Sequence, residues 1–237
     1  MKLSMMLLLT IVTPVMASSP SLSVFKHSQV LTDVELDSMK GKYTTNGQDY
    51  YFGLQMQTQF IQGNGVQQQV GMQIEIAQVN NQPSVIISIS DPDAVDSNNG
   101  FQLETLGQAA GLQQRIQIAG EQNLAVNELD MAQGRLVPLL QGINVAVGTT
   151  LVSRNGSTTF STNANTMGYQ VELASGKAGQ GINYQGGNGQ LVQSIFIDGL
   201  SQLVVNQSTI RYDGMPVGPI ESNILGRQIS DLTAIGF

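Results

Sequence analysis

The sequence predicts a mainly-β chain, with antiparallel strands in an elongated sandwich or solenoid-like stack behind a short N-terminal helix. Three observations predict it. Apolar and polar residues alternate with a period of two through most of the chain after residue 50, the pattern of strands buried on one face. One stretch is written twice: Leu112–Asn127 reads LQQRIQIAGEQNLAVN and Leu191–Asn206 reads LVQSIFIDGLSQLVVN, aligned without a gap. Finally, charged residues make up only 11% of the chain, under half the usual share of about 25%. In their place stand 28 Gln and 16 Asn, whose neutral amides let strands stack in register where charged faces repel.

The first residues read as an export signal. Lys2 supplies positive charge, Met5 to Met16 an apolar core, and Val15-Met16-Ala17 a small-residue cleavage site before Ser18. That core is far shorter than the roughly 20 residues of a membrane helix, and no later segment is long and apolar enough for one. The expected organisation is therefore a signal peptide over 1–17, an N-terminal arm over 18–42, and a single β-rich domain over 43–237. Within the arm, Thr32 and Glu35 have capping-box spacing and Gly41 suits a helix C-cap, so a helix is expected from about 33 to 40.

From Phe52 the period is two. Phe52, Leu54, Met56, Thr58 and Phe60 alternate with Gly53, Gln55, Gln57 and Gln59, and Val70, Met72, Ile74 and Ile76 alternate after a Gly-Asn-Gly turn. A second turn at Asn80–Pro83 leads into Ser84–Ser90. Three strands on two short turns predict an antiparallel meander. Asp91–Gly100 reads as a polar loop, and residues 132–148 are ambiguous because Pro138 opposes a helix while Ile143, Val145 and Val147 alternate. Strands are expected near 149–153, 157–161 and 168–174. The glycine-rich stretch Gly176–Gly189 is read as separating them from the second repeat copy.

The repeat is identical at Leu112/Leu191, Gln114/Gln193, Ile116/Ile195, Ile118/Ile197, Gly120/Gly199, Leu124/Leu203, Val126/Val205 and Asn127/Asn206. Each copy alternates, breaks at glycine and resumes, a strand–turn–strand unit. The copies are expected to form equivalent hairpins in a sandwich or stack, or to pair with each other.

Three segments resemble known families. Leu31, Thr32, Glu35, Leu36, Met39 and Gly41 fall on successive key positions of the double-glycine leader cut by papain-like leader peptidases, with Lys42 where the family has its second glycine. That resemblance implies an amphipathic helix that docks on such a peptidase. Gly120, Asn123 and Ala125 are similar to part of the curlin repeat of bacterial surface fibres, and imply an amide-rich strand–turn–strand unit. The terminal Phe237 resembles the aromatic end of outer-membrane barrel proteins.

Several chemistries are disfavoured. His27 is the only histidine and cysteine is absent, which removes Ser-His-Asp triads, Cys-His pairs and ordinary zinc sites. No phosphate-binding glycine motif is present. Asp91, Asp93 and Asp96 crowd a loop without the spacing of a calcium-binding hand. We therefore expect no enzyme, no cofactor and no metal. A net charge of −7 also disfavours nucleic acid as a partner. The expectation is an exported bacterial protein of the periplasm, cell surface or extracellular space, a structural part of a fimbria-like or biofilm-matrix assembly. Self-association, or association with other surface subunits, would run through Gln114, Ile116, Ile118, Asn123, Asn127, Gln193, Ile195, Ile197 and Asn206. The alternatives are a monomeric adhesin or periplasmic binding module and, further off, an outer-membrane barrel.

Overall fold

A computed structural model describes residues 49–62, 65–80, 82–98, 101–103, 107, 111–163, 165–185 and 188–214. The expected signal peptide, the helix near 33–40, the leader-like segment 31–42 and the aromatic terminus lie outside the described residues. Among the described residues there is no helix. Thirteen strands follow in order: β1 (Tyr50–Gln62), β2 (Gly65–Val79), β3 (Gln82–Ile89), β4 (Val95–Asp96), β5 (Gly111–Ala119), β6 (Leu124–Gln133), β7 (Ile143–Val145), β8 (Thr150–Val152), β9 (Thr158–Asn163), β10 (Thr166–Leu173), β11 (Gly176–Gln185), β12 (Asn188–Asp198) and β13 (Leu203–Asp213).

They form two sheets. Sheet A runs β6-β13-β1-β2-β3-β7 and sheet B runs β4-β8-β9-β10-β11-β12-β5. The expected meander is present as β1–β3, paired antiparallel with Leu54 opposite Ile74 and Ile74 opposite Ile87. Its inward row, Phe52, Leu54, Met56 and Phe60 with Met72, Ile74, Ile87 and Ile89, meets Phe160, Tyr169, Val171, Ile182, Leu191, Ile195 and Ile197 of sheet B in one buried core. Each such side chain contributes about 1.5–3 kcal/mol on burial, more than the ~1 kcal/mol net of a hydrogen bond. Apolar packing therefore holds the sandwich together, and the amides select its register.

Two expectations change. Gly176–Gly189 is not a separator: most of it is β11, between β10 and β12 inside sheet B. Its glycines hid the period because they have no side chain to alternate, yet the fold uses the gap they leave. A Cβ on Gly181 would come within 3.1 Å of Leu103 Cδ2 and 2.6 Å of the Met167 carbonyl oxygen. The repeat copies are also not hairpins. In each, the first strand lies in sheet B (β5, β12) and the second in sheet A (β6, β13), so each copy is an arch bridging the sandwich. The two arches pair with each other in parallel, unlike the other strand pairs of both sheets.

The ambiguous segment 132–148 explains how the first arch reaches its place. β6 and β7 are the opposite ends of sheet A, so the chain between them crosses that sheet's outer face. Leu139 N–H donates to Gln73 Oε1 (3.1 Å) and Leu136 N–H to the Tyr51 hydroxyl oxygen (3.1 Å). The Tyr51 hydroxyl donates to Glu75 Oε2 (2.8 Å), and the Arg135 guanidinium lies 4.8 Å from the Tyr51 ring centre. Gly53 and Gly71 make room, since a Cβ at Gly53 would sit 2.6 Å from Leu136 Cδ1. Across sheet B, β4 and β5 are likewise opposite ends, and Leu103, buried against Gly179 and Gly181, lies along that crossing.

Candidate assembly interface

The two arches stack with a constant offset of 79 residues, so every identical pair in the repeat is a pair of neighbours in space. Leu191 lies opposite Leu112, Gln193 opposite Gln114, Ile195 opposite Ile116 and Ile197 opposite Ile118. Leu203 lies opposite Leu124, Val205 opposite Val126 and Asn206 opposite Asn127. The turns repeat as well. Gln122 and Ser201, equivalent in the repeat, both have left-handed backbone (φ 58° and 56°), and the Ser201 hydroxyl donates to Gln122 Oε1 (2.9 Å). Asn123 ties the turns together: its Nδ2 donates to the Ala119 and Gly199 carbonyls (2.9 and 2.8 Å), and its Oδ1 accepts from the Gln202 N–H (2.9 Å). Gly120, at φ 90°, allows this approach, because a Cβ there would fall 2.0 Å from the Gly199 carbonyl oxygen.

Amide ladders link the arches to the buried core. Gln114 Nε2 donates to Gln193 Oε1 (2.7 Å), and Gln193 Nε2 donates to Gln180 Oε1 (3.2 Å), Ser208 Oγ (3.2 Å) and the Glu128 carbonyl (2.9 Å). On the other strand, Asn206 Nδ2 donates to Asn127 Oδ1 (3.0 Å) while its Oδ1 accepts from Thr58 Oγ1 (2.6 Å). Tyr169 closes the network, its hydroxyl 2.9 Å from Thr58 Oγ1 and accepting from Gln180 Nε2 (3.0 Å). Thr58, Tyr169, Gln180, Gln193, Asn206 and Ser208 are all buried, and burial pushes the Tyr169 hydroxyl pKa well above its ordinary value. A buried amide left unpaired costs about 1–3 kcal/mol, so this network accepts one register and penalises a slip.

Of the residues singled out from sequence, the structure brings all nine assembly candidates into these two arches but divides them. Gln193, Ile195, Ile197 and Asn206 are internal, at 0–1% exposure. Gln114, Ile116, Ile118, Asn123 and Asn127 belong to the first arch, whose strands β5 and β6 end sheets B and A respectively. Their far edges pair with no strand among the described residues. Leu112, Ile116 and Ile118 are 42–46% exposed, although they occupy the inward row. With Ala125, Leu129 and Met131, which pack against the core from β6, they form the end of that core among the described residues. Sequence reasoning missed Thr58, Gln180, Ser208 and Tyr169; Thr58, a polar residue in the apolar row of β1, was the available signal. The leader-like residues Leu31, Glu35, Leu36, Met39 and Gly41 lie outside the described residues.

Other surfaces are less built. A depression of about 300 Å³ on the outer face of sheet B is lined by Arg115, Gln117, Lys177, Ser194, Ile195 and Phe196. The acidic turn is closed on itself, with the Asp93 N–H donating to Asp91 Oδ1 (3.1 Å) and Asp93 paired to Arg154 (3.5 Å). No cluster of metal-ligating side chains occurs among the described residues.

No protein-family profile and no solved structure matches the chain. Among characterised proteins it is similar to one described as functional amyloid subunit FapE, from Pseudomonas fluorescens. The two are 23% identical over 230 residues, covering 91% of this chain and 92% of the relative.

Proposed function

We propose that this chain is an exported structural subunit of an extracellular, amyloid-type biofilm-matrix or fimbria-like assembly, joined to its neighbours through the strand edges of the first arch. One observation carries the reading: two copies of one repeat stack in parallel, residue over like residue, and the first copy's strands are the last of their sheets among the described residues. Stacking like residues along parallel strands is the organising geometry of cross-β assemblies. The similarity to a functional amyloid subunit along nearly the whole chain supports the same role. The role asks for main-chain pairing and side-chain register rather than a reaction. In this reading residues 1–17 direct export, and Leu31, Glu35, Leu36, Met39 and Gly41 dock a papain-like leader peptidase before or during assembly.

The test is where the chain resides. Detergent-insoluble extracellular material from producing cells is collected, and the chain is sought in it by mass spectrometry and by gold-labelled antibody in electron micrographs. The chain is expected in cross-β fibres, with diffraction spacings near 4.7 and about 10 Å. Recovery solely as soluble monomer would overturn the reading in favour of a monomeric binding module. The N-terminal residue of the recovered chain reports processing: a start at Ser18 indicates signal removal alone, and a start at Lys42 or just after it indicates leader cleavage.

A further inference from the structure

The outer face of sheet A is unevenly covered. Leu136 against Gly53 and Leu139 against Gly71 hold segment 134–142 over one part of it. Further along β1, toward the arch turns, one outward row is wholly apolar: Leu124 lies opposite Leu203, Leu203 opposite Ile61, and Ile61 opposite Val66. Val126 and Val205 begin the next row, which Gln59 and Gln69 continue. The core takes the alternate residues instead, among them Ala125, Val204 and Phe60. Leu124 and Val66 are each 57% exposed.

The repeat gives these rows weight. Leu124/Leu203 and Val126/Val205 are two of its identities, whereas the outer face of sheet B has none: there Gln113 faces Val192, Arg115 faces Ser194 and Gln117 faces Phe196. Core packing accounts for the inward identities but not for these, and a sheet face meant only for water carries polar residues. The rows run across the strands, the direction in which like side chains of two facing sheets interdigitate in a dry contact. None of their residues is charged. A chain of net charge −7 can therefore bring this face against its own copy without like charges meeting, while an oppositely charged partner finds nothing to pair with.

Resting on the proposed function and deepening it, we propose that these apolar rows pair face to face with the same rows of a second copy. Segment 134–142 sets the direction. Strands running the same way would bring the two crossing segments into collision, so the strands of the two copies run in opposite directions and each crossing segment lies outside the contact. That arrangement also puts the two copies' Glu128, one row beyond Val126, on opposite sides of it. Six apolar side chains fall short of the ~800 Å² a side of a stable interface. A single pair therefore exchanges with monomer, and many such contacts along an assembly act together to hold filaments side by side.

The test uses residues 18–237. Sedimentation equilibrium is expected to show monomer at low concentration and dimer as the concentration rises toward about 1 mM. Leu124→Lys and Val66→Lys are each expected to weaken pairing by at least about tenfold with an unchanged circular dichroism spectrum. Val137→Lys, on the crossing segment and 78% exposed, is expected to leave it unchanged. The chain has no cysteine, so a spin label on Gln59→Cys or Val137→Cys sits at one place, and the distance between labels in the dimer is expected to be shorter at 59 than at 137. Where the chain polymerises, Leu124→Lys is expected to give single filaments in electron micrographs and the unaltered chain bundled ones. Monomer throughout, pairing or bundling indifferent to both lysines, or labels closer at 137 than at 59 would each overturn the proposal, and monomer throughout would leave the face to a different partner. Each of these results leaves the assembly reading standing if the chain is found in extracellular fibres; absence from fibres removes that reading and not the pairing measured in solution.

Discussion

The two copies of the repeat share eight of sixteen residues and one backbone path, but not one environment. Ile195 is 1% exposed and Ile116 is 46% exposed, although they are identical, adjacent and on the same face. The second copy is held on both sides, by the first copy and by β11 and β1, whereas the first pairs with a strand on one side among the described residues. What separates a core strand from a candidate docking edge is therefore position in the sheet order, not residue type. The inner arch buries its apolar row, and the outer one leaves Leu112, Ile116 and Ile118 more than 40% exposed.

The sharpest way to break this comparison is one substitution made twice. Ile195→Lys places a charge in the core with no partner, a mechanism that costs several kcal/mol, so thermal melting should show loss of the fold. Ile116→Lys lets the ammonium reach water from a half-exposed position and should lower stability by about 1 kcal/mol or less. Comparable losses at the two positions would mean that the first arch is also covered.

The glycines give a reversed asymmetry. Gly120→Ala forces a side chain into left-handed backbone and against the Gly199 carbonyl, and should cost about 2–3 kcal/mol. Gly199→Ala meets Ser175 at ordinary contact distance, 3.4 Å, and should cost about 1 kcal/mol or less. Denaturant melts of both variants check the order.

The two faces of sheet A can be compared through pH, at Tyr51 on the outside and Tyr169 against the inside. Burial, aided by the Glu75 carboxylate, raises the Tyr51 hydroxyl pKa to about 12 from 10.0, and burial raises that of Tyr169 further. Both protons are thus bound more tightly in the folded chain than in the unfolded one. Their contribution is complete below pH 10 and is lost as pH rises through the folded values. Stability should decline above about pH 10, and Tyr169→Phe should flatten the decline. Tyrosinate absorbance followed alongside circular dichroism reads both.

The smallest expected effect sharpens the likeness of the turns. Gln202 occupies the place of Asn123, and its buried Oε1 has no hydrogen-bond partner among the described residues. Gln202→Asn should relieve that oxygen and raise stability by about 1 kcal/mol, measured as a shift in denaturant midpoint.

Much of this was legible in the residues, and the exceptions have physical reasons. The β1–β3 meander follows from alternation in Phe52–Phe60 and Val70–Ile76, since a half-buried strand must alternate. The Asn127/Asn206 and Gln114/Gln193 identities marked the arches without saying that they bond to each other. β11 escaped because Gly179 and Gly181 carry no pattern, and 134–142 escaped because Leu136 and Leu139 pack against a distant sheet face rather than their own neighbours in sequence. Thr58 and Tyr169, 111 residues apart, meet only across the sandwich.

By itself, the sequence determined that this chain forms strands, that one strand–turn–strand unit occurs twice, and that neutral amides rather than charges solvate and register those strands. These are properties of side-chain period and type, read within a few residues. Only the tertiary structure decided that the copies are arches rather than hairpins, that they pair in parallel, and that the first lies outermost among the described strands. Pairing depends on which distant edge is free once the core has closed and on the route the chain takes across the outer face of each sheet, and no local pattern encodes either.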